Sequence, residues 1–246
     1  MVYVAGNVNE FGTLDLQTRA YTQINANNGQ RLGGLANYNG QLYATREINA
    51  SSTLYTVATN GNLTSIGSTG FKISGVAFDA TGILYANNGG DGSANRLGTL
   101  NLATAAYTNI GNIGTQSSNI SGVLAFSNGI LYDSSWWGNP QLFSINTLTG
   151  VGTGIGSWDS HYTAMPLFDV QNALYGIGAD MHLYSVNTAT GGLTSLGAIT
   201  GANLPARFLS ATALTTNNVP EPSSLGLFAI GSLLMGFARK RSKSAD

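Results

Sequence analysis

The chain has 246 residues, of which 9% are charged and 43% are hydrophobic, with 33 glycines and no cysteine. Without cysteine, the chain forms no disulfides, thiolate zinc sites, iron–sulfur clusters or cysteine nucleophiles. Residues 1–218 carry six Lys and Arg against nine Asp and Glu, whereas residues 219–246 carry four against two. The body therefore lacks the basic footprint of a nucleic-acid-binding protein.

A repeat organises residues 1–214. Its most complete copy is the stretch 172–197, which reads NALYGIGADMHLYSVNTATGGLTSLG. The tyrosines of four Leu-Tyr pairs lie 42, 47 and 43 residues apart, and Tyr3 stands 40 residues before the first of them; the four are Tyr43, Tyr85, Tyr132 and Tyr175. Five units of about 43 residues match the size of a four-stranded propeller blade.

Each unit is predicted to contain four β-strands, because apolar residues alternate and β-branched and aromatic residues are enriched. Strand A is a run of small and apolar residues such as 73–78, ISGVAF. Strand B holds the Leu-Tyr pair, strand C is exemplified by residues 183–187, and strand D by residues 193–197. Small residues in strand A suit the innermost position of a blade, where neighbouring blades crowd around the axis.

The connections between strands are of two kinds. Those from A to B and from C to D are short and rich in Asn, Gly and Thr, as at residues 39–40 and 149–150, which predicts tight hairpins. Those from B to C and from D to A vary in length, as at residues 133–141 and 156–162. We refer to the end of the molecule with the short connections as the turn face, and to the opposite end as the loop face.

The two ends of the repeat region complement each other. The chain begins on a strand B, and residues 208–214 read as a strand A with nothing after it. Pairing them would complete one blade and leave no open sheet edge. The sequence thus predicts an all-β, five-bladed β-propeller over residues 1–214 and resembles secreted bacterial propellers with repeats of the form LY…LYSVNTATGxLTSLG. The predicted blades are 208–214 with 1–25, then 32–67, 73–111, 120–156 and 163–197.

The composition changes after a polar linker at residues 215–218. Residues 219–243 contain a Pro-Glu-Pro motif at 219–222, an apolar run at 225–238 and a basic cluster at 239–243. As a helix the 14-residue run would extend about 21 Å, short for a bilayer core of about 30 Å. The motif residues are Val219, Pro220, Glu221 and Pro222, and the first basic residues are Arg239, Lys240 and Arg241.

This order of motif, apolar helix and basic cluster resembles the PEP-CTERM sorting signal of Gram-negative bacteria. The resemblance implies recognition by an exosortase, a membrane-embedded transpeptidase-like enzyme, removal of the helix near residues 220–222, and export in bacteria that make exopolysaccharide. The alternative is an ordinary single-pass anchor. In either case the basic cluster should stay cytoplasmic and the body outside. Because residues 1–7 lack the features of a signal peptide, we expect an upstream segment, which could also hold a further strand or blade.

Candidate catalytic groups are few. The two histidines, His161 and His182, are too few for a His-based metal triad. Asp159 and His161 could form an acid–base pair, but no serine in a nucleophile elbow accompanies them. For each of the two histidines we expect an incidental surface or loop role.

The remaining acidic residues favour structural roles. Asp79 and Asp169 each follow a Phe at the end of a strand A, which favours capping of the next turn. The loop 87–95 offers calcium a single carboxylate, Asp91, which is too few for a site. We therefore expect neither a metal nor a cofactor.

Three tryptophans fall on the loop face, where flat aromatic rings can stack on sugars. The candidate ligand-face residues are Trp136, Trp137, Trp158, Asp159 and His161. Packing between blades is the alternative for at least one tryptophan. The sequence predicts an exported, non-enzymatic protein of the cell envelope or extracellular matrix, anchored transiently in the membrane by its C-terminal helix. Its predicted partners are an exosortase and exopolysaccharide or a matrix protein. The alternative is a propeller hydrolase or lyase acting on extracellular polysaccharide.

Overall fold

The computed structural model describes residues 1–214 except for residues 9, 26–30, 49–50, 89–94, 115–122, 135–140 and 159–165. The predicted linker 215–218, sorting motif 219–222, apolar helix 225–238 and basic cluster 239–243 lie outside the described residues. The propeller falls in the first of two units of the chain, Met1–Thr215. In the part of the chain that is described, no helix is long and apolar enough to cross a bilayer.

Twenty described strands form five antiparallel four-stranded sheets, the blades. Blade 1 contains β1 (Val2–Gly6), β2 (Phe11–Leu14), β3 (Tyr21–Asn25) and β20 (Phe208–Ala213). Blade 2 contains β4 (Leu32–Tyr38), β5 (Gln41–Ile48), β6 (Ser51–Val57) and β7 (Leu63–Ser68). Blade 3 contains β8 (Gly75–Phe78), β9 (Leu84–Asn88), β10 (Arg96–Leu100) and β11 (Tyr107–Asn112). Blade 4 contains β12 (Ala125–Ser127), β13 (Ile130–Ser134), β14 (Gln141–Ile145) and β15 (Gly152–Ser157). Blade 5 contains β16 (Leu167–Val170), β17 (Ala173–Ile177), β18 (His182–Val186) and β19 (Leu193–Ala198).

The first and last strands of the propeller close the ring. Blade 1 has the order β20-β1-β2-β3, so its innermost strand comes from the C-terminal end of the body. The register pairs Val2 with Ala213 and Gly6 with Phe208. The predicted five-bladed propeller, with terminal strands sharing one blade, is confirmed.

The apolar core lies between neighbouring blades. Buried residues of blades 4 and 5, among them Leu142, Leu167 and Tyr184, form one of five such clusters in the described part of the chain. Strand residues alternate in direction, so each sheet contributes side chains to the cluster on either side of it. Each blade is therefore stabilised by both of its neighbours.

A second contact joins neighbouring blades at the outer rim. In three blades a glycine of strand D lies against a threonine carbonyl oxygen in the C-to-D turn of the next blade, with no room for a Cβ atom. The pairs are Gly67 with Thr104, Gly111 with Thr149, and Gly156 with Thr190. In the other two blades a hydrogen bond crosses the same junction: Asn25 Nδ2 to the Asn60 carbonyl at 3.3 Å, and Thr200 N–H to the Arg19 carbonyl at 3.0 Å. The rim contact therefore runs around the whole ring.

Side chains also fix the hairpins of the turn face. Asp79 Oδ1 accepts hydrogen bonds from the N–H groups of Thr81 and Ile83, both at 2.9 Å. Asp169 Oδ1 accepts one from the Asn172 N–H at 3.1 Å, and Asp169 Oδ2 accepts one at 2.6 Å from the Ser127 hydroxyl of blade 4. The predicted turn-capping role of Asp79 and Asp169 is confirmed.

Candidate functional site

Four of the five predicted ligand-face residues lie outside the described residues. Trp136 and Trp137 fall in the gap 135–140, and Asp159 and His161 fall in the gap 159–165. Both gaps belong to connections of the loop face, between β13 and β14 and between β15 and β16. Their role in ligand binding therefore stays a prediction.

Trp158 serves packing instead of ligand binding. Its side chain is only 7% exposed and joins the core cluster of Leu167 and Leu174. The indole Nε1–H donates a hydrogen bond to the Gly191 carbonyl at 2.5 Å, in the C-to-D turn of blade 5. Trp158 comes two residues after Gly156, which contacts the Thr190 carbonyl oxygen in the same C-to-D turn of blade 5. Of the two roles that the sequence left open for the tryptophans, the burial of Trp158 supports packing between blades.

The loop-face end of β13 carries a buried carboxylic acid, Asp133. With the repeat tyrosines as reference, Asp133 follows Tyr132 where the other blades have Val4, Ala44, Ala86 and Gly176. Its side chain is 0% exposed. Such a departure from the repeat marks a special position, because a buried acid is rare unless it has partners. Sequence reasoning missed Asp133, although aligning the units on their tyrosines would have found it.

Hydrogen bonds from two blades hold the Asp133 carboxyl. Asn87 Nδ2, on β9 of blade 3, donates to Asp133 Oδ2 at 2.9 Å, and the Ser134 N–H donates to Oδ1 at 2.7 Å. Asn87 is itself fixed, since its Oδ1 accepts from the Gly75 N–H at 2.8 Å. Burial raises the pKa of Asp133 to about 8, against the lowering effect of the N–H donors of Asn87, Ser134 and Val123. The acid therefore stays protonated in the fold up to neutral pH.

More buried polar groups lie at the loop-face ends of blades 3 and 4. Ser134, Asn88 and Asn95 are all buried at the loop-face ends of their strands or next to them. Among the described residues, Asn88 Oδ1 and Asn95 Nδ2 have no hydrogen-bond partner. We refer to Asn87, Asn88, Asn95, Asp133 and Ser134 as the polar cluster. It underlies the loop face of blades 3 and 4, from which the connection carrying Trp136 and Trp137 departs.

The axial channel offers little chemistry in comparison. Its cavity of about 120 Å³ is lined by strand A of every blade, mostly by apolar residues such as Leu35, Val76 and Leu167. Its lining includes one carboxylate, Asp169, which already bonds to Ser127 and the turn backbone. The described lining therefore lacks the pair of carboxylates that glycoside hydrolysis requires.

A small titratable cluster lies in the B-to-C connection of blade 5. Asp180 Oδ2 accepts a hydrogen bond from the Tyr184 hydroxyl at 2.6 Å and lies 3.2 Å from His182 Nδ1. The His182 N–H donates to Asp180 Oδ1 at 3.2 Å. These bonds close the turn that leads into β18. In the described ranges no group of three His, Cys, Asp or Glu could hold a metal ion.

Comparison with known proteins identifies the tail and the fold. The PEP-CTERM protein-sorting motif matches residues 218–242. No curated protein matches the chain.

Similar solved structures share the fold at low identity. A nidogen/laminin complex aligns with TM-score 0.59 and 14% identity over 86% of this chain and 81% of that one. A protein of unknown function from Bacteroides caccae aligns at 0.53 and 9%, over 84% and 76%. The PQQ-bound aldose sugar dehydrogenase from Streptomyces coelicolor aligns at 0.52 and 11%, over 79% and 77%. Identities this low show the fold alone.

Proposed function

We propose that this chain, a PEP-CTERM protein and therefore an exported exosortase substrate with a propeller body, is a non-enzymatic binding protein of the cell envelope or extracellular matrix. Its loop face holds polysaccharide, and the aromatic pair Trp136 and Trp137 supplies the stacking surface. Before processing, the apolar run 225–238 anchors the chain in the membrane with the propeller outside. Exosortase then removes the run near residues 220–222.

The observation that carries the proposal is the contrast between the two faces. Turn-face hairpins are short, and side chains such as Asp79 fix their backbone. The loop face has long connections, and one of them carries two consecutive tryptophans. Binding residues are commonly found on long loops that a rigid scaffold positions, and exposed tryptophan gives a large apolar contact for a ligand.

The polar cluster also favours the loop face as the binding surface. Asp133 ties the start of the Trp-bearing connection to Asn87 of the neighbouring blade. A fixed base reduces the conformational entropy that a loop loses when it binds a ligand. In this proposal Asp133 is a positioning residue for the connection that follows β13.

Retention on the host's own exopolysaccharide tests the proposal. Replacing Trp136 or Trp137 with Ala should weaken retention by about 1 kcal/mol or more, if either behaves as a hot-spot aromatic, and should leave the melting temperature unchanged. The matched control is Trp158→Ala. Because Trp158 is buried, this change should lower the free energy of unfolding by about 3–5 kcal/mol while the folded fraction keeps its retention. Undiminished retention in both Trp136→Ala and Trp137→Ala would contradict the proposal.

A second candidate function, a hydrolase or lyase acting on extracellular polysaccharide, draws support from Asp133. A carboxyl that is protonated at neutral pH has the property required of a general acid. However, the Asp133 side chain is fully buried, so a substrate would have to displace the loop face to reach it. If this candidate were correct, the protein would depolymerise the polysaccharide and Asp133→Asn would abolish that activity.

A further inference from the structure

The positive charges of the propeller are concentrated in part of the ring. Residues 97–206 contain neither Lys nor Arg, so blades 4 and 5 carry no basic side chain of this kind. One of the six such residues of the body, Arg19, lies in the C-to-D turn of blade 1. The others stand at or near the loop-face end of a strand in blades 1, 2 and 3, and they are Arg31, Arg46, Lys72, Arg96 and Arg207.

Two of these arginines are fixed side by side near the axis of the ring. Arg207 directly precedes β20 and Arg31 directly precedes β4, and both strands line the axial channel. The Ser210 hydroxyl donates a hydrogen bond to the Leu32 carbonyl at 3.3 Å, which joins the two strands. The Asn7 N–H donates to the Arg207 carbonyl at 3.1 Å, and the Arg207 N–H donates to Asn7 Oδ1 at 3.3 Å. The backbone that carries these two side chains is therefore held in place.

The charges of the two arginines act on each other. Burial lowers the pKa of Arg207, and the positive charge of Arg31 lowers it further. Arg31 is exposed, and in the described part of the chain it forms no ion pair with a carboxylate. Because like charges held together repel, an anion bound beside both guanidinium groups would be stabilised by both.

Arg46 adds a third guanidinium group at the same junction. It pairs with Leu32 across β4 and β5, and side chains directly opposite each other lie on the same side of a sheet. Leu32 belongs to the core cluster between blades 1 and 2, so Arg46 also faces blade 1. We refer to Arg31, Arg46 and Arg207 as the arginine cluster.

The arginine cluster outnumbers the acids around it. The loop-face ends of blades 1 and 2 contain two acidic residues, Glu10 and Glu47. Glu10 Oε2 accepts a hydrogen bond from the Val8 N–H at 3.0 Å, within the B-to-C connection of blade 1. A guanidinium group is planar and presents two parallel N–H donors, which match the two oxygens of a carboxylate. The cluster is therefore suited to an anionic ligand that carries carboxylates.

We propose that the arginine cluster binds carboxylates of the polysaccharide, so that the ligand of the loop face is an acidic polymer that contains uronate sugars. This inference rests on the proposed function, from which it takes the loop face and the class of polymer. A neutral polysaccharide offers no charged partner to the cluster, whereas a polyuronate offers a carboxylate on successive sugars.

Retention of the full chain on two forms of one polymer tests this inference. The first form is the host's exopolysaccharide, and the second is the same material after carbodiimide and borohydride have reduced its carboxylates to alcohols. Affinity electrophoresis compares wild type with Arg31→Gln, Arg46→Gln and Arg207→Gln. Arg19→Gln removes the same charge from the turn face and is the matched control. The melting temperature of each variant is also measured, and Arg31→Gln changes an exposed side chain that the fold does not require.

We expect wild type to bind the native polymer more tightly than the reduced one. Each variant of the arginine cluster should weaken retention on the native polymer by about three- to tenfold, with little effect on the reduced polymer, and Arg19→Gln should change neither. Retention on the native polymer should also fall when salt is raised to about 1 M, where the screening length is about 3 Å.

Two results would contradict the inference and leave the proposed function standing. One is equal retention of wild type on both forms of the polymer, and the other is unchanged retention of all three variants on the native form. Failure of wild type to bind either form would instead contradict the proposed function, and with it this inference.

Discussion

Asp133 makes the stability of the propeller depend on pH. In the fold, burial raises its pKa from 3.8 to about 8, whereas in the unfolded chain the carboxyl ionises near its ordinary value. Between these values the folded state holds a proton that unfolding releases. The stabilising contribution is therefore complete below about pH 4 and is lost as the pH rises to about 8. The free energy of unfolding should fall by up to about 1.4 kcal/mol per pH unit across this range.

The matched variant for this prediction is Asp133→Asn, which has nearly the same shape and does not ionise. Denaturant unfolding of both proteins from pH 4 to pH 8 would isolate the effect of one carboxyl. We expect the difference between wild type and variant to change steadily with pH. Parallel pH profiles would show that Asp133 keeps an ordinary pKa in the fold.

The A-to-B hairpin of blade 5 has residues that suit its left-handed backbone conformation less well than those of the blade 4 hairpin. Gln171 and Asn172 have φ values of 55° and 65°, where the hairpin of blade 4 has Asn128 and Gly129 at 50° and 76°. Because Asn tolerates this left-handed conformation better than Gln, Gln171→Asn should raise the free energy of unfolding by about 0.5–1 kcal/mol. A Cβ at Gly129 would meet no atom within 4 Å, so the control Gly129→Ala should cost about 1–2 kcal/mol through the backbone alone. Stabilisation by both changes, or by neither, would disagree with this account.

At the residue scale the sequence was informative where a residue repeats. Asp79 and Asp169 recur after a Phe, and their turn-capping role followed from that recurrence. The sequence left the role of Trp158 open between ligand binding and packing, because its burial depends on contacts with the next blade. The environment of Asp133 likewise depends on Asn87, 46 residues earlier in the chain.

At the element scale, the outer-rim contact is the feature most sensitive to substitution. A Cβ at Gly156 would overlap the Thr190 carbonyl oxygen of the next blade, which is backbone and cannot move aside cheaply. Gly156→Ala should therefore lower the free energy of unfolding by about 1–3 kcal/mol. Gly154 lies on the same strand, and the one close contact of a Cβ there would be with the flexible end of Gln141, so Gly154→Ala should cost distinctly less. Chemical denaturation compares the two variants, and equal losses would mean that strand conformation, not the rim contact, sets the cost.

The sequence predicted which segments form strands more accurately than it predicted the first and last residue of each strand. Strand A of blade 3 was predicted at residues 73–78 and is observed at Gly75–Phe78. Ser74 lies before the observed strand, although its N–H still donates a hydrogen bond to the Asn87 carbonyl oxygen. A register shift between strands C and D recurs in every blade, for example between Leu142 and Phe143. Such β-bulges increase the local twist of the strands, and the alternation of apolar residues does not encode their positions.

At the scale of the whole molecule, ring closure by β20 should decide whether the body folds. Residues 1–218 retain β20, so removing residues 219–246 should leave the thermal melt unchanged while abolishing sorting in cells. Residues 1–207 lack Phe208, Ala211 and Ala213 of the core between blades 5 and 1, so this truncation should show no cooperative melt. A large loss of stability in residues 1–218 would mean that the tail packs on the body.

The five-bladed ring was predictable because each blade repeats the same strand order and the incomplete ends complement each other. The loop face, which we propose as the binding surface, was not predictable to the same degree. Loop-face connections differ from blade to blade, so no repeat constrains them, and the polar cluster assembles from strands of two blades. The sorting signal, in contrast, was predictable because it is a short contiguous motif at residues 218–242.

The central claim, that this propeller binds polysaccharide and does not cleave it, is tested most directly by size-exclusion chromatography with light scattering. Residues 1–218 are incubated with the host's exopolysaccharide, and the molar mass of the polymer and the elution position of the protein are recorded over time. The account predicts that the protein elutes with the polymer and that the molar mass of the polymer stays constant. A falling polymer mass would show an enzyme, and separate elution of protein and polymer would show that the loop face does not bind this polysaccharide.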